Sequence, residues 1–291
     1  MAVDQIQTVE TLLFVQMSLQ WGETFMNFSG KRVLVTGSTM GIGLGAAEMF
    51  LERGAAVAIN GRDSKTVAQA VKRLGVERLV EAPGDIGSIA GCRNVIDAAI
   101  AGLGGLDCLV NNAGICDLAR IMEVTEEHWD RMMAVNLQSA MFCSQFALPE
   151  LRKSKGNIVH IASISGLIGG PSDSHVYAIT KGGLINMTRT MALELAKDGV
   201  RVNCLCPGYI DTPMIQAENE ATGGQVMEFI NQSAPMGRIG GIRECASSIL
   251  YFASDDAGYV TGAILSNDGG CAANASWGGA NHADPAPPQA N

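Results

Sequence analysis

The chain has 291 residues, enough for two domains or one large α/β unit with a sizeable core. Hydrophobic residues make up 47%, charged residues 17%, and there are 35 glycines, a balance that excludes a disordered or collagen-like chain. Lys and Arg number 20 against 29 Asp and Glu, and the resulting charge of −9 excludes a broad basic face for nucleic acid or anionic lipid.

Residues 1–25 form an N-terminal extension in which Ile6, Val9, Leu13 and Met17 fall at helical spacing, either a packing arm or a dispensable leader. From residue 31 to residue 270, β-branched runs alternate with helical patterns, the signature of βαβ units and a parallel sheet. Seven strands are predicted: Lys31–Thr36, Ala56–Asn60, Arg78–Ala82, Leu106–Asn111, Asn157–Ser163, Val200–Cys206 and Ala263–Asn267. Several are continuously apolar, as strands covered on both faces should be. A helical run from Leu44 to Arg53 follows the first strand; Ser64, Ser88 and Thr125 are N-cap candidates for later helices, the last with Glu126 and Glu127 in its first turn. The pattern predicts one doubly wound α/β domain over 26–271, a Rossmann fold with a central seven-stranded parallel sheet. Residues 208–240 break the rhythm and are expected to form a mobile substrate lid, and the tail over 272–291 is expected to be disordered.

The eight cysteines lie mostly in apolar segments without a C-x-x-C pair, so they read as small buried hydrophobes in a reducing compartment. Cys204 and Cys206 would share a strand face, yet two thiols alone are too few for structural zinc, and no metal is expected. No apolar run approaches the roughly 20 residues of a membrane span, and no basic residue precedes Lys31 to suggest a secretory or transit peptide, which points to a cytoplasmic protein.

Chemistry concentrates at the ends of the strands. After the first come Gly37, Gly41 and Gly43, whose spacing lets the backbone turn tightly and bring a helix N-terminus to a pyrophosphate. Tyr177 and Lys181 stand four apart, on one helical face, where an ammonium is expected to favour phenolate and lower the tyrosine pKa. Asn136 lies mid-helix despite its poor propensity, as a packing or functional side chain.

Together with Asn111, Asn112, Ala113 and Gly114 after the fourth strand, Ser163 after the fifth, and Pro207 and Gly208 after the sixth, these motifs resemble the classical short-chain dehydrogenase/reductase family from about Phe28 to Gly270. The resemblance implies an NAD(P)(H)-dependent oxidoreductase interconverting a secondary alcohol and its ketone. It assigns Tyr177 the proton transfer, Ser163 the substrate oxygen, Lys181 the nicotinamide ribose, and Asn136 a backbone-held water in a proton relay. Ser165 is the competitor of Ser163. The resemblance also places Ile42 at a phosphate, Asp85 and Ile86 around adenine, Asn112, Ala113 and Gly114 at the ribose, and Ile210 and Thr212 at the carboxamide. Where an acid would select NAD(H), this chain has Gly61 followed by Arg62, so NADP(H) is favoured over NAD(H), with Ser38 as a second phosphate contact; Asp63 keeps NAD(H) open.

The substrate pocket is expected from Ile115, Leu167, His175, Tyr209 and Met214, with a small-molecule carbonyl or alcohol as the only partner besides copies of the chain. A homotetramer through the helices around 125–153 and 174–197 is implied by resemblance, and Met187, Met191 and Leu195 serve either that interface or the sheet. The alternative function is a non-catalytic dinucleotide-binding regulator on the same fold.

Overall fold

The computed structural model describes residues 25–171 and 173–274; the possible N-terminal helix and most of the expected tail lie outside the described residues. Seven strands, β1 (Arg32–Val35), β2 (Ala56–Ile59), β3 (Leu79–Glu81), β4 (Cys108–Asn111), β5 (Asn157–Ile161), β6 (Arg201–Pro207) and β7 (Ile264–Asn267), pair in parallel in the order β3-β2-β1-β4-β5-β6-β7. The expected seven-stranded Rossmann sheet is thus present, with most strands a residue or two shorter than their apolar runs.

The period of two explains why both faces need cover. Val33, Val35, Val57, Ile59 and Val110 pack into one core layer, and Leu34, Ala58 and Leu109 into the opposite one. The first layer is closed by α1 (Gly41–Glu52), α2 (Ser64–Leu74) and α9 (Ile242–Ala253); the second by α3 (Ile89–Leu103), α5 (Ser139–Ser154) and α6 (His175–Leu195). Each fully buried Val, Leu or Ile contributes roughly 1.5–3 kcal/mol, so the two layers supply the main stabilisation. Met191 and Leu195 join the second layer and Met187 packs on a smaller cluster around Cys204 and Cys206, which puts all three on the sheet.

Caps place the helices. Ser88 Oγ accepts from Gly91 N at 3.1 Å and Thr125 Oγ1 from His128 N at 3.1 Å, as expected. At α2 the cap is Asp63 rather than Ser64: its Oδ1 accepts from Thr66 N at 2.9 Å and its Oδ2 from the Thr66 hydroxyl at 2.9 Å. Helix α4 (Glu126–Met133) runs into α5 through a π turn over Ala134–Gln138, and Asn136 sits in that turn. The 208–240 segment contains two short helices, α7 (Pro213–Ala221) and α8 (Gln225–Ser233).

Seven of the cysteines are buried and Cys116 is exposed. Among the described residues no helix is long and apolar enough to cross a membrane, and no group of three or more His, Cys, Asp or Glu could hold a metal ion. Residues 272–274, expected to begin the tail, are still folded: Ala272 N donates to Asp268 Oδ2 at 2.7 Å and Asn274 N to Gly270 O at 2.9 Å.

Candidate active site

The strand order reverses between β1 and β4, and the loops leaving their carboxyl ends open a cleft of about 2180 Å³. One end is a cradle of backbone. Gly37 has φ +61°, and a Cβ there would lie 2.8 Å from Ala113 Cα; a Cβ on Gly43 would lie 2.5 Å from Gly37 O. The loop is tied to β4 from below: Thr36 Oγ1 accepts from Asn112 N at 3.0 Å and Ala113 N at 3.1 Å, and Asn112 Nδ2 donates to Thr36 O at 2.9 Å. Asn112 therefore works mainly as a strut holding the glycine turn open over the N-terminus of α1, where unpaired amides suit an anionic phosphate.

Gly37, Gly41, Ile42, Gly43, Arg62, Asp85, Ile86, Asn112, Ala113, Gly114, Pro207, Gly208, Ile210 and Thr212 all line this cleft. Ser38 does not. It is fully buried, its hydroxyl donating to Val35 O at 2.7 Å and accepting from Asn60 N at 3.0 Å, so the expected phosphate contact is corrected. These carbonyl and amide groups at the strand ends capture the short side chain before it can reach outward. Its neighbour Thr39 faces the cleft, and a Cβ on Gly61 would lie 2.6 Å from Thr39 Cγ2.

The other end gathers Ser163, Tyr177 and Lys181 on one wall. Ser163 stands just past β5, its Oγ accepting from Ser165 N at 3.1 Å. Ser165 also lines the cleft but is bonded to Ser163 through its backbone. Lys181 is buried, donates to Ile161 O at 2.8 Å, and holds its ammonium 5.5 Å from the Tyr177 ring centre.

Burial pulls the Lys181 ammonium down to about 8. The expected lowering of Tyr177 is not what this environment produces: burial pushes the phenol up, the Cys116 thiol adds to that, and the Ser163 hydroxyl opposes it. Desolvation dominates the phenol, and Lys181, whose ammonium lies 5.5 Å from the ring centre, is itself desolvated. The adjacent His160 is buried and kept neutral, pulled down to about 3 by burial and then by Lys181.

Asn136 is buried and does not line the cleft. Its Oδ1 accepts from Ile115 N at 2.8 Å, and its Nδ2 donates to Ile115 O at 2.8 Å and to Thr180 Oγ1 at 3.2 Å. Thr180 in turn donates to Tyr177 O at 2.7 Å. The side chain thus locks the segment after Gly114 to the helix that carries Tyr177.

Of the expected substrate residues, Ile115, Tyr209 and Met214 line the cleft, whereas Leu167 and His175 do not. Cys116, Leu118, Ile164 and Ile168 join them, with Phe229, whose ring meets that of Tyr209 edge-on at 6.0 Å. Helix α7 adds Glu218. Nothing in the sequence marked these lid positions, which carry no motif; the 3.6 period of α7 puts Met214 and Glu218 on one face only once its start is known.

Residues 37–272 match the family model described as Enoyl-(Acyl carrier protein) reductase. The chain belongs to the short-chain dehydrogenase/reductase family. Members of this family use NAD(P)(H). The chain is 34% identical to a meso-2,3-butanediol dehydrogenase of Serratia marcescens over 86% of its length and 97% of that protein. It is 35% identical to a D-beta-hydroxybutyrate dehydrogenase of Rhizobium meliloti over 82% and 98% of the two chains. A crystal structure of a putative short-chain alcohol dehydrogenase from Sinorhizobium meliloti superposes with a TM-score of 0.79 at 34% identity, covering 85% of this chain and 98% of that one. This short-chain dehydrogenase/reductase is an oxidoreductase.

Proposed function

We propose that this protein interconverts a secondary alcohol and its ketone, with NADP(H) preferred over NAD(H). The observation that carries the reading is the convergence of Ser163, Tyr177 and Lys181 on one wall of a cleft whose far end is a glycine-lined backbone cradle. A nicotinamide cofactor fits that cradle and supplies the hydride. Gly37, Gly41, Ile42 and Gly43 would hold its pyrophosphate, Asp85 and Ile86 its adenine, Asn112, Ala113 and Gly114 its ribose, and Pro207, Gly208, Ile210 and Thr212 its nicotinamide end.

Ser163 Oγ orients the substrate oxygen, on which negative charge develops during reduction, and Tyr177 gives that oxygen its proton. A phenol pushed up by burial remains protonated at neutral pH, the form needed for reduction. Lys181 anchors the nicotinamide ribose beside the Tyr177 ring, and Asn136 keeps Ile115 and Tyr177 in register.

NADP(H) preference is supported by the end of β2. Asp63, the remaining acid there, spends its carboxylate capping α2, while Arg62 lines the cleft with no ion pair among the described residues. An exposed guanidinium suits a 2′-phosphate. The lid over 208–240 closes the substrate end through α7 and α8. Assembly as a homotetramer through α4, α5 and α6 is supported by the exposed apolar Trp129, Met141, Ile179 and Leu193, and sedimentation tests it.

The direct test is oxidation of NADPH and NADH across a panel of ketones, with Tyr177→Phe beside the native chain. Turnover that vanishes in the variant while NADPH binding persists supports the reading; a fully active variant overturns it. Arg62→Glu should lower the NADPH-to-NADH ratio of kcat/KM at least about tenfold, the size of one lost charge-assisted contact, and an unchanged ratio would remove the assignment.

A further inference from the structure

The charges along the cleft are unevenly placed. At the cradle end Arg62 is open. At the reacting end Lys181 is buried, its ammonium donating to Ile161 O, and the exposed Arg131 faces Asp117 at 3.9 Å. Glu218 lines this end from α7, exposed on the face it shares with Met214, and among the described residues its carboxylate has no ion pair or hydrogen bond. Its neighbours register the charge. The Cys116 thiol, partly enclosed although the residue as a whole is exposed, is pushed up to about 11, first by desolvation and then by Glu218, with Asp117 and Asp173 adding to it; the Tyr209 phenol is pushed up by burial, Cys271 and Glu218. Cys116 acts in turn on Tyr177. Glu218 therefore projects its field across the apolar walls between which a substrate must reach Ser163 and Tyr177.

We propose that Glu218 is a specificity-determining residue that makes the reacting end select carbonyl compounds whose remote part is uncharged or cationic, and reject carboxylates. This deepens the alcohol–ketone reading and rests on it. A substrate anion would meet the Glu218 carboxylate, which has no ion pair among the described residues, while the nearest cations are a buried Lys181 and an Arg131 that already faces Asp117; an ammonium would find a partner. The arrangement works by repulsion, so it discriminates between substrates with the same reacting carbonyl.

The test uses three compounds that share one ketone and differ in remote charge: acetoacetate, its ethyl ester and its choline ester. With the native enzyme and NADPH, kcat/KM for both esters should exceed that for acetoacetate on the order of tenfold at low salt, a gap that narrows as salt screens the charge. Glu218→Gln should shrink the gap several-fold and Glu218→Lys should reverse it. Each ratio is taken within one protein, so a general loss of activity cancels, and the exposed site makes misfolding no obstacle. A preference for acetoacetate in the native enzyme, or a ratio unmoved by Glu218→Lys, overturns the selection. The same three ligands are titrated calorimetrically into the NADPH complex of Tyr177→Phe, where binding must follow the same order. If turnover fails while that order holds and reverses with Glu218→Lys, the reaction reading falls and the charge selection stands; if turnover holds but the order is absent, the reverse is true.

Discussion

Burying Lys181 sets a measurable conflict between stability and function. Its folded pKa of about 8 lies below the ordinary 10.5, so the unfolded chain binds the proton more tightly than the native one between these values. The penalty is therefore fully present below about pH 8 and is relieved as pH rises towards 10.5; the gap corresponds to about 3 kcal/mol. Lys181→Met removes the charge at similar volume but strands Ile161 O, which loses a 2.8 Å bond at a cost of roughly 1–3 kcal/mol. At pH 7 the variant should be about 1 kcal/mol more stable, a Tm rise of about 2–4 °C, with turnover abolished. By pH 10 most of the native penalty is gone, and the order should invert in favour of the native chain. Calorimetric Tm values for both proteins from pH 6 to 10 provide the assay, and Tyr177 titrates in both, so it largely cancels in the difference. A Tm gap that stays constant across that range would refute desolvation of the ammonium as its cause.

Asn136→Leu strips both backbone groups of Ile115 of their partner and should destabilise by about 2–4 kcal/mol, read by denaturant unfolding; a change below about 0.5 kcal/mol would mean the π turn is held otherwise. Asp63→Ala should lower Tm slightly through loss of the α2 cap and leave the NADPH-to-NADH ratio unchanged. A swing towards NADPH would show that Asp63 meets the ribose after all. Ser163→Ala should reduce kcat about 100-fold or more and Ser165→Ala less than about fivefold; the reverse ranking would exchange their roles.

What was legible in the sequence was what local backbone geometry demands. Glycines at 37, 41 and 43 announce a tight turn, closed to a Cβ at 37 and 43 and left-handed at 37 and 41, and a spacing of four puts Tyr177 and Lys181 on one face wherever the helix lies. Strands covered on both sides print continuous apolar runs, so the doubly wound sheet could be read before any contact was known. The Asp63 cap was legible too, since Asp followed three residues later by Thr is a capping pattern, but Ser64 offered an equally good local reading. Ser38 and Thr39 could not be told apart, because which hydroxyl turns inward depends on the carbonyl of Val35 and the amide of Asn60, brought together only by the β1–β2 pairing. Glu218 and Phe229 left no trace for a similar reason: their positions follow from how two short helices settle over the cleft.

The misjudged Tyr177 pKa has the same origin as the conflict at Lys181. Spacing along a helix gives proximity, and proximity alone argues for a lowered phenol; the three-dimensional site adds desolvation, which acts on both partners and in opposite directions. It raises Tyr177 and lowers Lys181, drawing an acid and a base away from water towards their neutral forms. Along this wall Asn136 occupies a π turn that no helix propensity favours, and Lys181 is buried where exposure would be more stable. These departures cluster within about one helical turn or two hydrogen bonds of Tyr177, as expected if stability is given up where proton transfer requires it. Strands β1 and β2, by contrast, alternate apolar side chains into the two core layers as their period demands, and substitution of those side chains should change stability without changing the pH profile of turnover.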